Sequence, residues 1–238
     1  MSTIFQALER SETTRRAVTT ATTTTAPPPQ APRPGDEYER LKVMLSLDGA
    51  RLRRVLLVSA TGGEGVSSVS LGLAAAAAES APQGVLLVES HPGPATLAGR
   101  LGVFAPAGIG ELLAKETPRE QAIVATTVPR LALLTRGHRP VDLSQPRWAG
   151  LFDELMSDVQ SGFDLCVLDG GALDTYPESL AVASRVDGVL LIVEAERTSM
   201  SRVEAAAEML ARGGAHVVGV VLNRHRQYVP NFIERRLA

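Results

Sequence analysis

The 238-residue sequence is short of several things, and each shortage excludes something. Its one cysteine, Cys166, leaves no internal disulfide and sits in an apolar run, as a buried thiol in a reducing compartment does. It has almost no net charge: a formal −2 excludes a broad electrostatic grip on nucleic acid. No apolar run approaches the roughly 20 residues that a membrane-spanning helix needs. The opening MSTIFQALERSE is charged and amphipathic and has no signal-peptide core, so the sequence predicts a cytoplasmic protein. There is no internal repeat. What remains is 45% hydrophobic and 21% charged, enough chain and enough apolar side chains for one well-buried domain.

Residues 1–12 have the spacing of a short helix with Ile4, Phe5 and Leu8 on one side, a candidate docking element. Residues 13–35 are rich in Thr, Pro and Ala and poor in large apolar residues, the composition of a flexible linker. The folded domain is expected over 36–238, opening with a helix at 37–47. Apolar runs at 54–59, 85–89, 131–135, 165–169, 189–194 and 217–223 read as strands covered on both faces. Helical patterns lie between several of them, at 67–78, 148–159, 177–183 and 199–212. This alternation predicts an α/β fold, a mostly parallel sheet flanked by helices on both faces, with ligands bound beyond the carboxyl ends of the strands. The tail HRQYVPNFIERRLA is basic and amphipathic, suited either to an anionic surface or to its own domain.

The first strand runs into Ala60-Thr-Gly-Gly-Glu-Gly-Val-Ser67 and then a small-residue helix. This follows the spacing of GxxxxGK[ST], a phosphate-binding loop, with alanine for the first glycine and Val66 for the lysine. Gly62, Gly63 and Gly65 allow backbone N–H groups around Glu64 and Val66 to turn toward an anion, and the following helix adds its positive end. Ser67, beside Ser68, stands where a hydroxyl would ligate Mg²⁺. The lysine's charge, about 1.5–3 kcal/mol of binding in a charge-assisted hydrogen bond, is missing. A simple glycine turn is the competing reading. Acids follow two of the apolar strands, at Glu89 (with His91 two residues on) and at Asp169. These are positions from which a carboxylate holds a metal ion beside such a loop, although each could also end a strand in solvent.

Several stretches together resemble the bacterial tyrosine kinase (BY-kinase, CpsD/CapB) family, P-loop proteins related to MinD and ParA that act in capsule and exopolysaccharide synthesis. They are VSATGGEGVSS (Walker A), VLLVESHPGPATLAGRLGV (Walker A′) and FDLCVLDGGA (Walker B). GIGELLAKE, LALLTRGHRPVDLSQP, VDGVLLIVEAERTSMSRVEAA and GVVLNRHRQYVPNFIERRL add to them. The resemblance implies a P-loop fold that binds ATP or ADP with Mg²⁺. It implies metal-site roles for Ser67, Glu89 and Asp169, catalytic roles for Asp169 and Glu89, and a base pocket near Asn223 and Arg224.

The departures are as informative as the match. The Walker A lysine falls on Val66, the further MinD/ParA-type lysine falls near Thr61, and the two Walker A′ aspartates fall on Glu89 and His91. Asp169 is kept, but the Thr-Pro-Pro after it reads Gly170-Gly171-Ala172. The ExxRxxR ring motif falls on Asp36, Glu39 and Lys42, so any homo-oligomer is not predicted to be the family's ring. The C-terminal tyrosine cluster is reduced to Tyr228, the other tyrosines being Tyr38 and Tyr176. The expectation is a catalytically impaired, kinase-like protein at the inner face of the membrane, regulating a membrane-embedded polysaccharide co-polymerase or chain-length regulator. Two alternatives stand beside it: an active tyrosine autokinase with a borrowed arginine, for which the sequence singles out no donor, and a MinD/ParA-like positioning ATPase.

Overall fold

The computed structural model describes residues 36–47, 52–93 and 97–225. The helix expected at 1–12, the linker at 13–35 and the tail from 226 onward lie outside them. Seven strands, β1 (Arg54–Ser59), β2 (Val85–Glu89), β3 (Ile123–Ala125), β4 (Leu131–Leu134), β5 (Leu165–Ala172), β6 (Gly188–Glu194) and β7 (Val217–Asn223), form one sheet in the order β3-β4-β2-β5-β1-β6-β7. All pairings are parallel except β3–β4, which is antiparallel at one edge. The helices are α1 (Asp36–Leu47), α2 (Val66–Ser80), α3 (Leu97–Leu101), α4 (Ile109–Leu113), α5 (Arg119–Ala122), α6 (Pro146–Gln160), α7 (Ser179–Ala183) and α8 (Met200–Arg212).

The continuous apolar strands are explained by two cores, one on each face of the sheet. Along β1, Leu56 and Val58 face the core that α6 closes with Phe152, Met156 and Val159. Val55 and Leu57 face the other, which α2 closes with Val69, Leu73 and Ala77. This is the alternation of side chains expected along a strand. The alanine run 74–78 on α2 is buried throughout, and the helix also receives α1: the Tyr38 ring lies where a side chain on Gly72 would stand. Cys166 is buried as expected, and burial pushes its thiol up to about 12.

The structure departs from the sequence-based expectation at one place that matters for the site. β5 does not stop at Asp169 but continues to Ala172, so Asp169 lies inside the strand rather than just past its end. The Gly170-Gly171 pair makes this possible, because the β1–β5 register shifts between Leu57 and Ser59 and pairing resumes with Leu173 N–H donating to Ser59. The short elements β3, α3, α4 and α5 were not expected. Each spans only three to five residues, too few for a period to show.

Candidate functional site

Because β1, β2, β5 and β7 run in one direction, the residues at their carboxyl ends gather along one edge of the sheet. The glycine loop leaves β1 there. Gly65 caps α2 with φ 93°, and a side chain on it would stand 2.3 Å from Asn223 Nδ2, so both backbone and space demand glycine. Gly65 C=O accepts from the N–H groups of Ser68 and Val69, which starts the helix. The N–H groups ahead of these have no partner within the helix, the usual condition of an anion-binding helix end.

Glu64 holds the loop in this shape. Its carboxylate is buried, accepting from the Thr61 N–H at 3.0 Å and from the Thr198 hydroxyl, and its carbonyl accepts from Asn223 Nδ2 at 2.8 Å. One residue thus joins the loop to the segment after β6 and to the end of β7. Asn223 and Arg224, expected near a base, are here tied to protein groups. Asn223 Oδ1 accepts from the Arg224 N–H, and the Arg224 guanidinium pairs with Glu194 at 3.0 Å.

Val66 points into the core beneath α2, only 5% exposed, among Val55, Leu57 and Val69. The position of the usual phosphate-gripping cation is therefore spent on packing. Ser67 is half-buried, and Ser68 is exposed and accepts from Arg100 at 3.0 Å.

The acids lie beside the loop. Glu89 and Asp169 are register partners across β2 and β5, and both are buried. Burial raises the Glu89 carboxyl above its ordinary value, and Oε1 is already used by the Leu97 N–H at 2.9 Å. Asp169 Oδ1 faces the Gly171 N–H at 3.4 Å, while Oδ2 has no hydrogen-bond partner. His91 Nε2 is 3.6 Å from that oxygen, and neither His91 nitrogen is hydrogen-bonded. Its ring packs on Tyr176 with centroids 4.7 Å apart. Gly171, at φ 67°, leaves room for this pair, since a side chain there would meet both rings.

A Mg²⁺ ion wants several oxygen donors in near-octahedral array. Here an imidazole stands against the one free carboxylate oxygen, the second acid is engaged and biased toward protonation, and no group of three metal-ligating side chains is found among the described residues. These residues do not fit Mg²⁺, whereas the glycine cradle does fit a phosphate. What the site can do is hold an anion on backbone N–H groups. Among the described residues it offers no arranged set of metal ligands, and at the position of the usual lysine stands Val66.

Several residues that shape the site were not singled out from the sequence. Arg136, 7% exposed just beyond β4, donates to the carbonyls of Ser90 and Val141 and pairs with Glu178 at 3.1 Å, fixing the turn between Glu89 and His91. A cation directly after an apolar strand, in LALLTRG, was the available signal. Tyr176 and Arg197 carry no such signal, because the loops that position them are not periodic, and Arg202, in the first turn of α8, reads as an ordinary exposed helix position.

The seven-stranded, mostly parallel sheet with a glycine loop between strand β1 and a covering helix is a P-loop NTPase-like fold, shared with MinD. The septum site-determining protein MinD from Pyrococcus horikoshii, solved with Mg-ADP, superimposes with a TM-score of 0.57 at 20% identity, over 78% of this chain and 76% of that one. Within that class the chain is similar to the bacterial tyrosine kinases, in sequence and in structure. The VpsO kinase domain matches with a TM-score of 0.70 and 26% identity over 79% of this chain and 92% of that one. The kinase domain of the Escherichia coli tyrosine kinase ETK matches with a TM-score of 0.72 and 20% identity, over 88% and 85%. In sequence, the tyrosine-protein kinase CpsD of Streptococcus agalactiae is 22% identical over 204 residues, 85% of this chain and 89% of that protein. A putative tyrosine-protein kinase, EpsB, of Ralstonia nicotianae is 30% identical over 173 residues, 71% of this chain but 22% of that longer protein. No protein-family profile matches the chain.

Proposed function

We propose that this protein is a nucleotide-binding, catalytically impaired relative of the tyrosine kinases, acting in exopolysaccharide or capsule synthesis through its conformation rather than by phosphorylation. The observation that carries this reading is the burial of Val66: the loop keeps its cradle while the side chain that should grip phosphate lies in the core. The His91 imidazole beside Asp169 Oδ2 supports it, since it stands where the metal-binding chemistry of a kinase would need oxygen. The rings of Tyr38 and Tyr176 pack against Gly72 and His91, so each is engaged within its own domain. No described helix is long and apolar enough to cross a membrane. In this reading the chain sits at the inner face of the membrane and regulates a membrane-embedded co-polymerase or chain-length partner, with residues 1–12 as a docking element tethered by 13–35.

The test is incubation of the protein with ATP and Mg²⁺ beside an Asp169→Ala variant, with phosphotyrosine read by mass spectrometry and nucleotide binding by calorimetry. The expected result is nucleotide binding with no phosphotyrosine above the variant. Phosphotyrosine on the native chain that disappears in Asp169→Ala would overturn the reading in favour of an active autokinase.

A further inference from the structure

A cavity of about 480 Å³ opens at the front of the glycine loop, lined by Thr61 and Gly62 of the loop, Asp174 after β5, Arg197, Thr198 and Ser199 from the approach to α8, and Arg202 in its first turn. Two guanidinium groups therefore stand at the mouth of a phosphate cradle whose own cation position is filled by valine. Arg197 Nη1 comes within 3.9 Å of the point a Gly63 side chain would occupy, which places it at the tip of the loop.

The charges here are not fully neutralised. Arg197 pairs with Glu194 at 3.1 Å, but the same carboxylate also pairs with Arg224 at 3.0 Å, so one acid serves two guanidinium groups. Arg202 is exposed, and its guanidinium makes no ion pair or hydrogen bond among the described residues. Asp174 stands on the wall as a single opposing charge. The arginine segment is also held in place relative to the loop, because Thr198 donates to the buried Glu64 carboxylate, which accepts in turn from Thr61 N–H. Guanidinium groups suit phosphate oxygens, since each offers a planar fork of donors that cannot be deprotonated.

We propose that Arg197 and Arg202 form an anion subsite at the mouth of the glycine loop that receives the terminal phosphate of a nucleoside triphosphate. They supply from the segment before and within α8 the positive charge that Val66 does not. The inference rests on the nucleotide-binding reading above and adds to it a ligand: a triphosphate in preference to a diphosphate, bound without help from a metal ion.

The experiment is calorimetric titration of the full chain with ATP and with ADP, in buffer containing a chelator, for the native protein, Arg202→Lys and the double variant Arg197→Ala/Arg202→Ala. Each lost charge-assisted contact costs about tenfold in affinity or more. The native protein is expected to bind ATP at least about tenfold more tightly than ADP; Arg202→Lys should keep most of that preference. The double variant should bind both nucleotides alike, with its ADP affinity and melting temperature unchanged. Equal binding of ATP and ADP by the native protein, or an unaltered preference in the double variant, overturns the subsite and leaves the nucleotide-binding reading standing. Failure of the native protein to bind either nucleotide overturns both.

Discussion

A lysine at position 66 would have to thread its stem out of the space Val66 now fills among Val55, Leu57 and Val69 and carry its ammonium to the cradle. Overpacking of this kind costs about 1–3 kcal/mol, while the restored charge-assisted contact contributes about 1.5–3 kcal/mol to binding phosphate. Val66→Lys is therefore expected to melt lower than the native protein yet bind ATP about tenfold more tightly or better, as thermal melts and calorimetry would show. It is expected to remain without phosphotyrosine, because Glu89 and His91 are unchanged; kinase activity gained by this substitution alone would show that the neighbouring acids suffice. Residues such as Val66, Glu89, His91 and Asp169 were legible in the sequence because each sits at a fixed offset from an apolar strand. Arg136, Tyr176 and Glu178 were not, since their relation to the site exists only once β2, β4 and β5 are side by side and the loops between them have closed.

At the scale of elements, the long ones were readable within a few residues because period and length agree, as for α6, expected at 148–159 and observed over Pro146–Gln160. The short ones depend on a side chain rather than on a pattern. Glu111, in the first turn of α4, accepts from the Gly108 N–H at 2.8 Å and from the N–H groups of His138 and Arg139 at 3.0 and 2.7 Å, clamping a five-residue helix to the segment after β4. Burial pushes the Glu111 carboxyl up, but the N–H donors of Gly108, Arg139 and His138 outweigh it and hold it below its ordinary value. A carboxylate depressed in the folded state adds stability that is complete above its unfolded value and is lost as pH falls through the folded one. Glu111→Gln is expected to cost about 1 kcal/mol at pH 7 after solvent screening. The difference should shrink below about pH 4, as pH falls through the depressed folded value and the carboxylate is protonated in the folded chain as well as in the unfolded one. Urea melts at the two pH values check this; a difference that grew on acidification would contradict it.

At the scale of the whole molecule, one sheet separates two cores that never touch except through it. Phe152 fills the core on one face and Leu73 the core on the other, both fully buried. Phe152→Ala is expected to cost about 3–5 kcal/mol and Leu73→Ala about 2–5 kcal/mol. Measured by chemical denaturation, the two costs should add to within about 0.5 kcal/mol, since the sites share no contact. A larger coupling would mean that strain crosses the sheet. The fold itself was legible at this scale from the alternation of apolar runs and helical patterns. The position of Asp169 inside β5 was not, because it turns on the register shift that Gly170 and Gly171 permit.

The contacts of Glu64 have a consequence for how a ligand would arrive. With its carboxylate on Thr61 and Thr198 and its carbonyl on Asn223, the loop keeps its curvature from the protein's own groups. A phosphate bound here would meet a shape that is already there, and little ordering entropy would offset the contacts it makes. Recognition at this edge is of the mould-and-cast kind: the mould holds its form without help from what is cast in it.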